Sequence, residues 1–515
     1  MIKKFISPWW VLLLLGASPV ISLYQLNISE IGLIYAIRPL LVGMLAAILL
    51  YIFFALIVRQ SEKALLMTAV TYIIFTSYGA FYNLLKGWQV GSVLVGRHRT
   101  LIIFVLIITA IILLIVGRFK QQTAVSLAKA ASWMIVALVL VPAVQITLNH
   151  AKIRLPAKTE QQAKEVQPSA SQDLPDVYYF LLDSYAREDY IEQRMNYDNS
   201  GFIQQLEERG FQVADCALSN YTATRLSLSS SLNMDYLQNL VAGISPENKD
   251  ASIMDPYIWN NQMLSYFKEK GYTSVAFETG YGFTELTDAD YFIHRTNNPI
   301  TQTNLTEFEA LVLNNSILAA THNIPAIEKK LGLSFPYMDK YNREKFIIRE
   351  IPSTLDIPGP KFVFVHLVTN HRPYIFDSDG SILTDNNYYL NDGVPLDESY
   401  YVAGYQKSLN FTNPQIINLV DTIVGESKVK PVIILQGDHG VRAPGRISIF
   451  LSVFGLSNQN SLPEDLSPVN LFRFILDDRF HESYPLLPNH HYASNVNKDP
   501  FNFEEFPVTD PCQIY

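Results

Sequence analysis

The residues best suited to chemistry follow an apolar segment near the C-terminus. Residues 431–440 read PVIILQGDHG, so a run of valine, isoleucine and leucine leads directly into Asp438 and His439 between two glycines. An uninterrupted apolar run is typical of a parallel strand covered on both faces, and ligands bind beyond the carboxyl ends of such strands. A carboxylate and an imidazole at that place suit a divalent cation such as Zn²⁺ or Mn²⁺. The alternative is a polar turn after a core strand.

Two more apolar segments end in polar residues. Val177–Leu182 leads into Asp183, and Lys361–Val368 leads into the Thr-Asn-His sequence at residues 369–371. Because parallel strands end at the same edge of a sheet, we expect these residues to lie near the Asp-His pair described above.

A segment rich in hydroxyls, residues 219–228 (SNYTATRLSL), precedes a predicted helix. The backbone N–H groups and the dipole at a helix N-terminus favour an anion such as phosphate or sulfate. A threonine hydroxyl is a poor nucleophile unless a base or a metal lowers its pKa. Asp183, Asp438 and His439 could supply three ligands to one cation, with a threonine oxygen as the fourth.

The segments that position these residues alternate between strands and helices. A further strand is predicted at residues 273–277, and helices are predicted at 201–210, 258–270 and 399–424. This alternation predicts an α/β domain with a mostly parallel sheet sandwiched by helices.

The first 150 residues differ in composition from the rest of the chain. Hydrophobic residues make up 49% of the 515 residues, and nearly all the long apolar runs precede residue 150. Five runs reach the roughly 20 residues needed to cross a bilayer. The first could be a signal peptide, but no A-x-A-like cleavage site follows it. They lie near residues 8–25, 38–58, 64–85, 100–117 and 130–148. We predict a helical transmembrane domain at 1–150, a polar linker at 151–173 and an exoplasmic catalytic domain at 174–515.

Charge patterning bears on orientation and partners. The formal net charge of −9 provides no global basic field that would recruit nucleic acid. Positive residues flank the ends of the apolar runs that would share the cytoplasmic side, and fewer occupy one opposite loop. This pattern predicts a multi-pass protein of the cell (inner) membrane, with everything after residue 150 periplasmic or extracellular. The residues on the cytoplasmic side are Lys3, Lys4, Arg59, Lys63, Arg118, Lys120 and Lys129, and those opposite are Lys86, Arg97 and Arg99.

The chain has two cysteines, Cys216 and Cys512. In an exoplasmic domain they could form one disulfide, and two unpaired thiols are the alternative. Neither has a second cysteine or a histidine at metal-ligand spacing.

Together these motifs resemble the alkaline phosphatase/sulfatase superfamily over roughly residues 175–480. The resemblance rests on a strand that ends in an acidic residue, a threonine before a serine-rich helix, the sequence TNHRPY at 369–374 and the late GDH at 437–439. Five spans followed by such a domain are similar to the lipoteichoic acid synthases, which are phosphoglycerol transferases, and more distantly to the lipid A phosphoethanolamine transferases.

The resemblance implies roles for individual residues. Thr224 would be the nucleophile and the fourth ligand of one divalent cation, Mn²⁺ or Zn²⁺, which Asp183, Asp438 and His439 also bind. His371 would hold the substrate phosphate or assist the leaving group.

The chain departs from the pattern at three places. The synthases have glutamate where this chain has Asp183, and sulfatases have a second aspartate where it has Ser184. The sulfatase signature C-x-P-S-R is missing, and residues 221–225 read YTATR, without a cysteine that could become formylglycine. These departures favour a single-metal transferase over a sulfatase.

Several of these residues have structural alternatives. Asp183 could cap the segment that follows it, and His371 could shape a turn. Thr222 or Ser227 could be the nucleophile in place of Thr224.

Other polar residues lie near the motifs. Arg225 and Arg372 could contact phosphate, because a guanidinium matches phosphate oxygens, and a solvated surface position is the alternative for each. His366 lies within a predicted strand and is interpreted as a core histidine. His490 and His491 are interpreted as part of a surface loop.

The leading hypothesis is a membrane enzyme that transfers a phospho-group from a lipid headgroup to an extracytoplasmic acceptor, an envelope glycan or lipid. One alternative keeps the site but uses water as the acceptor, which gives a phosphodiesterase or a sulfatase-type hydrolase. The other is a non-catalytic, membrane-anchored scaffold.

Overall fold

The structure is a computed structural model in which two compact units can be described. One contains residues 1–154 and 297–339, and the other contains residues 155–296 and 340–515. Residues 297–339, assigned to the second domain in the sequence analysis, group with the N-terminal helices. The predicted linker lies outside the described residues from residue 154 onward. The described residues are 8–28, 31–85, 88–90, 93–94, 96–153, 174–241, 243–295, 305–323, 337–389, 396–442, 446–457, 460–495 and 498–513.

The first unit contains the five apolar helices that the sequence predicts. Each is long and apolar enough to cross a membrane, as judged by length and composition. Many of their large apolar side chains are exposed, as expected for helices that face lipid. The helices are α1 (Pro8–Leu26), α2 (Ile34–Val58), α3 (Ser61–Leu85), α4 (His98–Arg118) and α5 (Gln121–Ile153). A two-stranded hairpin, β1 (Gln89–Val90) with β2 (Val93–Leu94), precedes α4, and the later segment contributes α12 (Glu307–Asn315) and a 3₁₀ helix at Ile317–Asn323.

Two glycines allow α1 and α2 to approach closely. A Cβ atom at Gly16 would lie 2.4 Å from the Cα of Met44, and one at Gly43 would lie 2.5 Å from the carbonyl oxygen of Gly16. Small residues at such crossings are typical of membrane helices, which pack without a hydrophobic driving force between them. Tyr72 of α3 donates its hydroxyl at 3.0 Å to the carbonyl oxygen of Gly16 and so ties a third helix to this crossing.

The second unit is built on a seven-stranded sheet in the order β4-β9-β8-β3-β7-β5-β6. Strands β8, β3, β7, β5 and β6 are parallel. At one edge β9 pairs antiparallel with β8, and β4 pairs antiparallel with β9. Every residue of β3, β7 and β8 is buried, which explains their uninterrupted apolar sequences. The strands are β3 (Val177–Leu182), β4 (Phe211–Val213), β5 (Thr273–Phe277), β6 (Tyr291–Ile293), β7 (Lys361–Leu367), β8 (Val432–Gly437) and β9 (Leu451–Phe454).

Helices cover both faces of this sheet, so the predicted α/β sandwich is confirmed. Along β3, Tyr178, Phe180 and Leu182 join one apolar cluster and the alternate residues join the other. The helices are α6 (Glu188–Met195), α7 (Ser200–Glu208), α8 (Thr224–Asn233), α9 (Leu237–Leu240), α10 (Asp255–Trp259), α11 (Gln262–Glu269), α13 (Met338–Glu350), α14 (Glu398–Glu426) and α15 (Pro468–Phe480). A second hairpin pairs β10 (Tyr492–Asn495) with β11 (Asp499–Glu505).

The predicted helix at 258–270 is in fact two helices. The side chain of Asn261 caps α11 by accepting a hydrogen bond from the Leu264 N–H at 2.8 Å. A capping residue takes non-helical backbone angles, so the chain cannot continue as one helix through Asn261.

A disulfide joins Cys216 to Cys512, which are 296 residues apart in sequence. Arg187 donates to the carbonyl oxygens of Pro511 and Gln513, each at 2.8 Å. The C-terminal segment is therefore fastened to the domain by a covalent bond and by two charge-assisted hydrogen bonds.

Candidate active site

The register of the central strands brings the polar residues together. Leu182, the last residue of β3, pairs with Leu367 of β7 on one side and with Gly437 of β8 on the other. Asp183 and Asp438 follow these paired residues directly, so the two carboxylates leave neighbouring strands at the same level of the sheet.

Two backbone features shape this edge. Ser184 has a positive φ of 59°, which is uncommon for a residue with a side chain, and it directs its N–H at 2.9 Å to Oδ1 of Asp438. Gly437 is required because a Cβ atom there would lie 2.2 Å from the carbonyl oxygen of Tyr185.

The carboxylate of Asp438 is held through one oxygen and leaves the other available. Its Oδ1 also accepts the N–H of His439 at 2.8 Å. Its Oδ2 is buried and, among the residues that the structure describes, has no hydrogen-bond donor. A buried carboxylate oxygen without a donor is costly, so this atom is suited to a bound cation.

His439 is prepared to act as a ligand through Nε2. Its Nδ1 donates to the carbonyl oxygen of Gly440 at 2.8 Å, which leaves the lone pair of a neutral ring on Nε2. Burial lowers the pKa of His439 and outweighs the opposing effect of Asp438. The ring is therefore neutral at neutral pH, as metal binding requires.

The carboxylate of Asp183 is oriented by His366, a residue that the sequence analysis left out of the site. His366 Nε2 lies 3.2 Å from Oδ2 of Asp183, and its Nδ1 lies 3.2 Å from the hydroxyl of Thr284. Burial raises the pKa of Asp183, but the neighbouring His371, His366 and His439 lower it by a larger amount, so the net shift is downward. The only signal for His366 in the sequence was a histidine that follows four apolar residues within a predicted strand.

Asp183, Asp438 and His439, called here the Asp-Asp-His cluster, can each offer one ligand atom, and these atoms lie within 4.8 Å of one another. His439 Nε2 is 3.4 Å from Oδ2 of Asp438 and 4.0 Å from Oδ1 of Asp183. Ligand atoms of a tetrahedral Zn²⁺ site lie about 3.3–3.6 Å apart, given bonds of roughly 2.0–2.2 Å. The distance to Asp438 lies within this range, and the 4.0 Å distance to Asp183 exceeds it by about 0.4 Å. The chemistry of these donors fits one divalent cation, which would draw Asp183 slightly closer.

The hydroxyl of Thr224 lies next to the cluster, with Oγ1 3.5 Å from Nε2 of His439. Thr224 is the first residue of α8, and the preceding Ala223 provides no side-chain cap. The first backbone N–H groups of this helix therefore have no side-chain acceptor at the N-cap and suit a phosphate oxygen.

The other two hydroxyls weighed as nucleophiles are buried. Ser227 Oγ lies 3.2 Å from Oγ of Ser219, which in turn donates to the carbonyl oxygen of Asp438 at 2.6 Å. Thr222 is 7% exposed, and its carbonyl oxygen accepts a hydrogen bond from Arg446 at 2.7 Å. Thr224, in contrast, is partly exposed.

His371 lies near the cluster in the loop after β7. Its ring centroid is 6.5 Å from that of His439, and its carbonyl oxygen accepts a hydrogen bond from Lys340 at 2.9 Å. Thr412 of α14 donates at 2.8 Å to Oδ1 of Asn370 and so fixes the residue before it. This loop is therefore held from two helices.

The two arginines are buried rather than solvated. Arg225 forms an ion pair of 2.7 Å with Asp255, and its guanidinium lies 4.2 Å from the ring centroid of Phe283. Arg372 is 8% exposed, and its guanidinium lies 5.6 Å from the ring centroid of Tyr401.

The C-terminal histidines differ from each other. His491 is buried, and its Nδ1 lies 3.0 Å from the carbonyl oxygen of Ser219, so it packs behind the segment that leads to α8. His490 is exposed and pairs with Glu505 at 2.6 Å. The expectation of a surface loop therefore fits His490 but not His491.

Comparisons with solved structures return several similar chains at low sequence identity. The chain is similar to the C-terminal periplasmic domain of EcEptC from Escherichia coli, with 12% identity, a TM-score of 0.39, and coverage of 64% of this chain and 92% of that one. It is similar to the lipooligosaccharide phosphoethanolamine transferase EptA from Neisseria meningitidis, with 11% identity, a TM-score of 0.38, and coverage of 91% and 95%. It is also similar to the lipoteichoic acid synthase LtaP from Listeria monocytogenes, with 10% identity, a TM-score of 0.35, and coverage of 64% and 81%. No family model and no curated protein sequence matches the chain.

Proposed function

We propose that this protein is a metal-dependent phospho-group transferase that uses Thr224 as its nucleophile. The observation that carries the proposal is the Asp-Asp-His cluster at the edge of the sheet, with the Thr224 hydroxyl 3.5 Å from Nε2 of His439. The donor would be a membrane lipid with a phosphoglycerol or phosphoethanolamine headgroup, and the acceptor an envelope glycan or lipid.

A divalent cation, Zn²⁺ or Mn²⁺, would be held by Asp183, Asp438, His439 and Thr224. When bound, it supplies Lewis acidity that lowers the pKa of a hydroxyl and offsets charge on phosphoryl oxygens.

The chain's own residues account for the two steps. In the first, the hydroxyl of Thr224 loses its proton to solvent, its Oγ1 forms a bond to the phosphorus of the donor, and the bond to the diacylglycerol oxygen breaks. His371 donates the proton that the departing oxygen takes up. In the second step, a hydroxyl of the acceptor gives its proton to His371 and its oxygen forms a bond to the phosphorus of the phosphothreonine. The bond to Oγ1 of Thr224 breaks, and this oxygen takes a proton from solvent.

The N-terminus of α8 would hold the transferring phosphate through its backbone N–H groups. Arg225 and Arg372 are proposed as additional phosphate contacts, because a guanidinium can donate two parallel hydrogen bonds to phosphate oxygens.

The five apolar helices give this chemistry a location. With the catalytic unit on the exoplasmic side, as the positive residues predict, a domain tethered to the bilayer meets a lipid donor at a high effective concentration.

The test is mass spectrometry of the Thr224 peptide after incubation of the full-length protein with a membrane lipid extract. We expect the mass of the transferred group on Thr224, no adduct in Thr224→Ala, and an adduct that persists in Thr222→Ala, the matched change two residues away. Activity that survives in Thr224→Ala would refute the nucleophile. Turnover measured with and without an added acceptor separates a transferase from a hydrolase that uses water.

A further inference from the structure

The membrane unit contains a cavity of about 510 Å³ that the proposed chemistry does not use. It lies among α1, α2, α3 and α5 and is bordered by α12. Its size falls within the roughly 300–1,000 Å³ typical of ligand pockets.

The rim of the cavity faces the region where hydrocarbon lies. The lining includes Leu26, Val42 and Leu138, whose side chains are 75%, 61% and 45% exposed. All three belong to helices that are apolar enough to span a membrane. An opening bordered by exposed apolar side chains of such helices leads into lipid rather than into water.

Four of the six hydroxyl groups in the lining already have a hydrogen-bond acceptor within the protein. Ser18, Thr76 and Ser316 donate their protons to backbone carbonyl oxygens of their own helix turns, at 2.9, 2.9 and 2.8 Å. Tyr72 donates to the carbonyl oxygen of Gly16. Because these four donors are satisfied and most of the lining residues are apolar, the walls are suited to a hydrocarbon chain.

One charged pair also lines the cavity. Arg38 of α2 forms a two-point ion pair with Glu309 of α12, and their side chains are 20% and 8% exposed. Glu309 is held in place by a capping box with Thr306. Its carboxylate accepts a hydrogen bond from the Thr306 N–H at 2.8 Å. Arg38 lies within α2, a helix apolar enough to span a membrane, and a charge in such a segment is costly and usually marks a functional site.

The position of Arg38 along its helix matches a lipid headgroup. It is the fifth residue of α2, which begins at Ile34, so it lies about 6 Å from the helix end at 1.5 Å per residue. Headgroups occupy this depth of a bilayer, next to the hydrocarbon core.

We propose that the cavity binds a glycerophospholipid with a zwitterionic headgroup. An acyl chain occupies the apolar part, and the headgroup lies against the Arg38–Glu309 pair. The phosphate and the ammonium of such a headgroup complement a guanidinium and a carboxylate that lie side by side. An anionic headgroup would bring net negative charge to Glu309 without an ammonium to balance it. This site goes beyond the proposed function, because binding here needs neither Thr224 nor a metal ion.

The test measures lipid retained by the full-length Thr224→Ala protein, so that its outcome does not depend on turnover. The protein in detergent is mixed with equal amounts of dioleoyl phosphatidylethanolamine and dioleoyl phosphatidylglycerol, and bound lipid is counted by native mass spectrometry. We expect phosphatidylethanolamine to be retained in preference to phosphatidylglycerol.

Two tryptophan variants of α2 form a matched pair. In Val42→Trp the indole ring occupies part of the cavity and displaces about two methylenes of the bound acyl chain. This loss of buried apolar surface should lower lipid retention about tenfold or more. Leu41→Trp adds the same ring at a residue that is 57% exposed and outside the cavity lining, and it should leave retention unchanged. Glu309→Gln removes the negative member of the pair and should abolish the headgroup preference.

Equal retention in the two tryptophan variants, equal retention of the two lipids by the starting protein, or no retained lipid would each overturn the proposal. A monodisperse, folded sample of every variant is the condition for the comparison. If lipid is retained while the Thr224 adduct fails to form in the wild type, the transferase proposal fails and this one stands. If the Thr224 adduct forms but no lipid is retained, this proposal fails and the transferase proposal stands.

Discussion

Replacing Asp438 by asparagine should have opposite effects on stability with and without a divalent cation. Asparagine keeps the carbonyl oxygen that accepts the N–H groups of Ser184 and His439, at 2.9 and 2.8 Å in the wild type. It replaces Oδ2, the buried oxygen for which the described residues provide no donor, and it removes one negative charge beside Asp183.

The expected magnitudes follow from that one atom. Without metal, an unsatisfied buried oxygen costs about 1–3 kcal/mol. The asparagine amide that replaces it can donate to Nε2 of His439, which lies 3.4 Å from Oδ2 in the wild type, so Asp438→Asn should raise the free energy of unfolding by about that amount. With metal at 1,000 times the dissociation constant, the wild type gains about 4.1 kcal/mol, whereas the variant has lost a ligand and gains little. The order of stability should therefore reverse between the two conditions.

Thermal unfolding of the full-length protein in detergent, with a chelator and then with Zn²⁺ or Mn²⁺, measures both values. Asp478→Asn is the control, because Asp478 is a buried carboxylate of α15 that accepts the Ser457 N–H at 2.7 Å and an Asn460 amide N–H at 2.8 Å. This control should lose stability equally in both conditions. If the Asp438→Asn variant is the less stable protein in chelator, or gains as much from metal as the wild type, the assignment of Oδ2 to a cation is refuted.

Three further outcomes are expected. His366→Ala should raise the metal dissociation constant about 10–100-fold, because it removes the group that orients Asp183; metal titration measures this, and an unchanged constant, equal to that of the control His490→Ala, would contradict it. Cys216→Ser should lower the free energy of unfolding by about 2–5 kcal/mol, as measured in denaturant, and a wild type whose stability does not change on reduction would argue against the disulfide. Arg225→Ala should cost about 3–5 kcal/mol because Asp255 is left buried without its partner, and the double variant with Asp255→Ala should recover part of this loss; a stability unchanged by Arg225→Ala would show that the ion pair is not structural.

The strands nearest the site could be predicted from the sequence because burial on both faces makes them continuously apolar. For this reason β3, β5, β7 and β8 were recognised close to their true ends, and the residues that follow β3 and β8 form the Asp-Asp-His cluster. Strands β4, β6 and β9 were missed, since segments of three or four residues carry too little pattern to be distinguished from a loop.

Contacts between residues that are far apart in the sequence could not be predicted from local patterns. The sequence left three hydroxyls open as nucleophiles, and the packing of α8 against the end of β8 places Thr224, rather than Thr222 or Ser227, beside His439. The role of His366 depends on the pairing of β7 with β3, and the ion pair of Arg225 depends on the packing of α8 near α10.

The sequence by itself determined which segments are apolar enough to enter a membrane or a buried sheet, and which polar residues follow them, because these are properties of adjacent residues. The tertiary structure decided which hydroxyl lies beside His439, the contact of His366 with Asp183, the pairing of Cys216 with Cys512 and the grouping of 297–339 with the membrane helices. Each of these depends on strand register and packing between segments far apart in the chain, and no local pattern of residue types encodes such a distance.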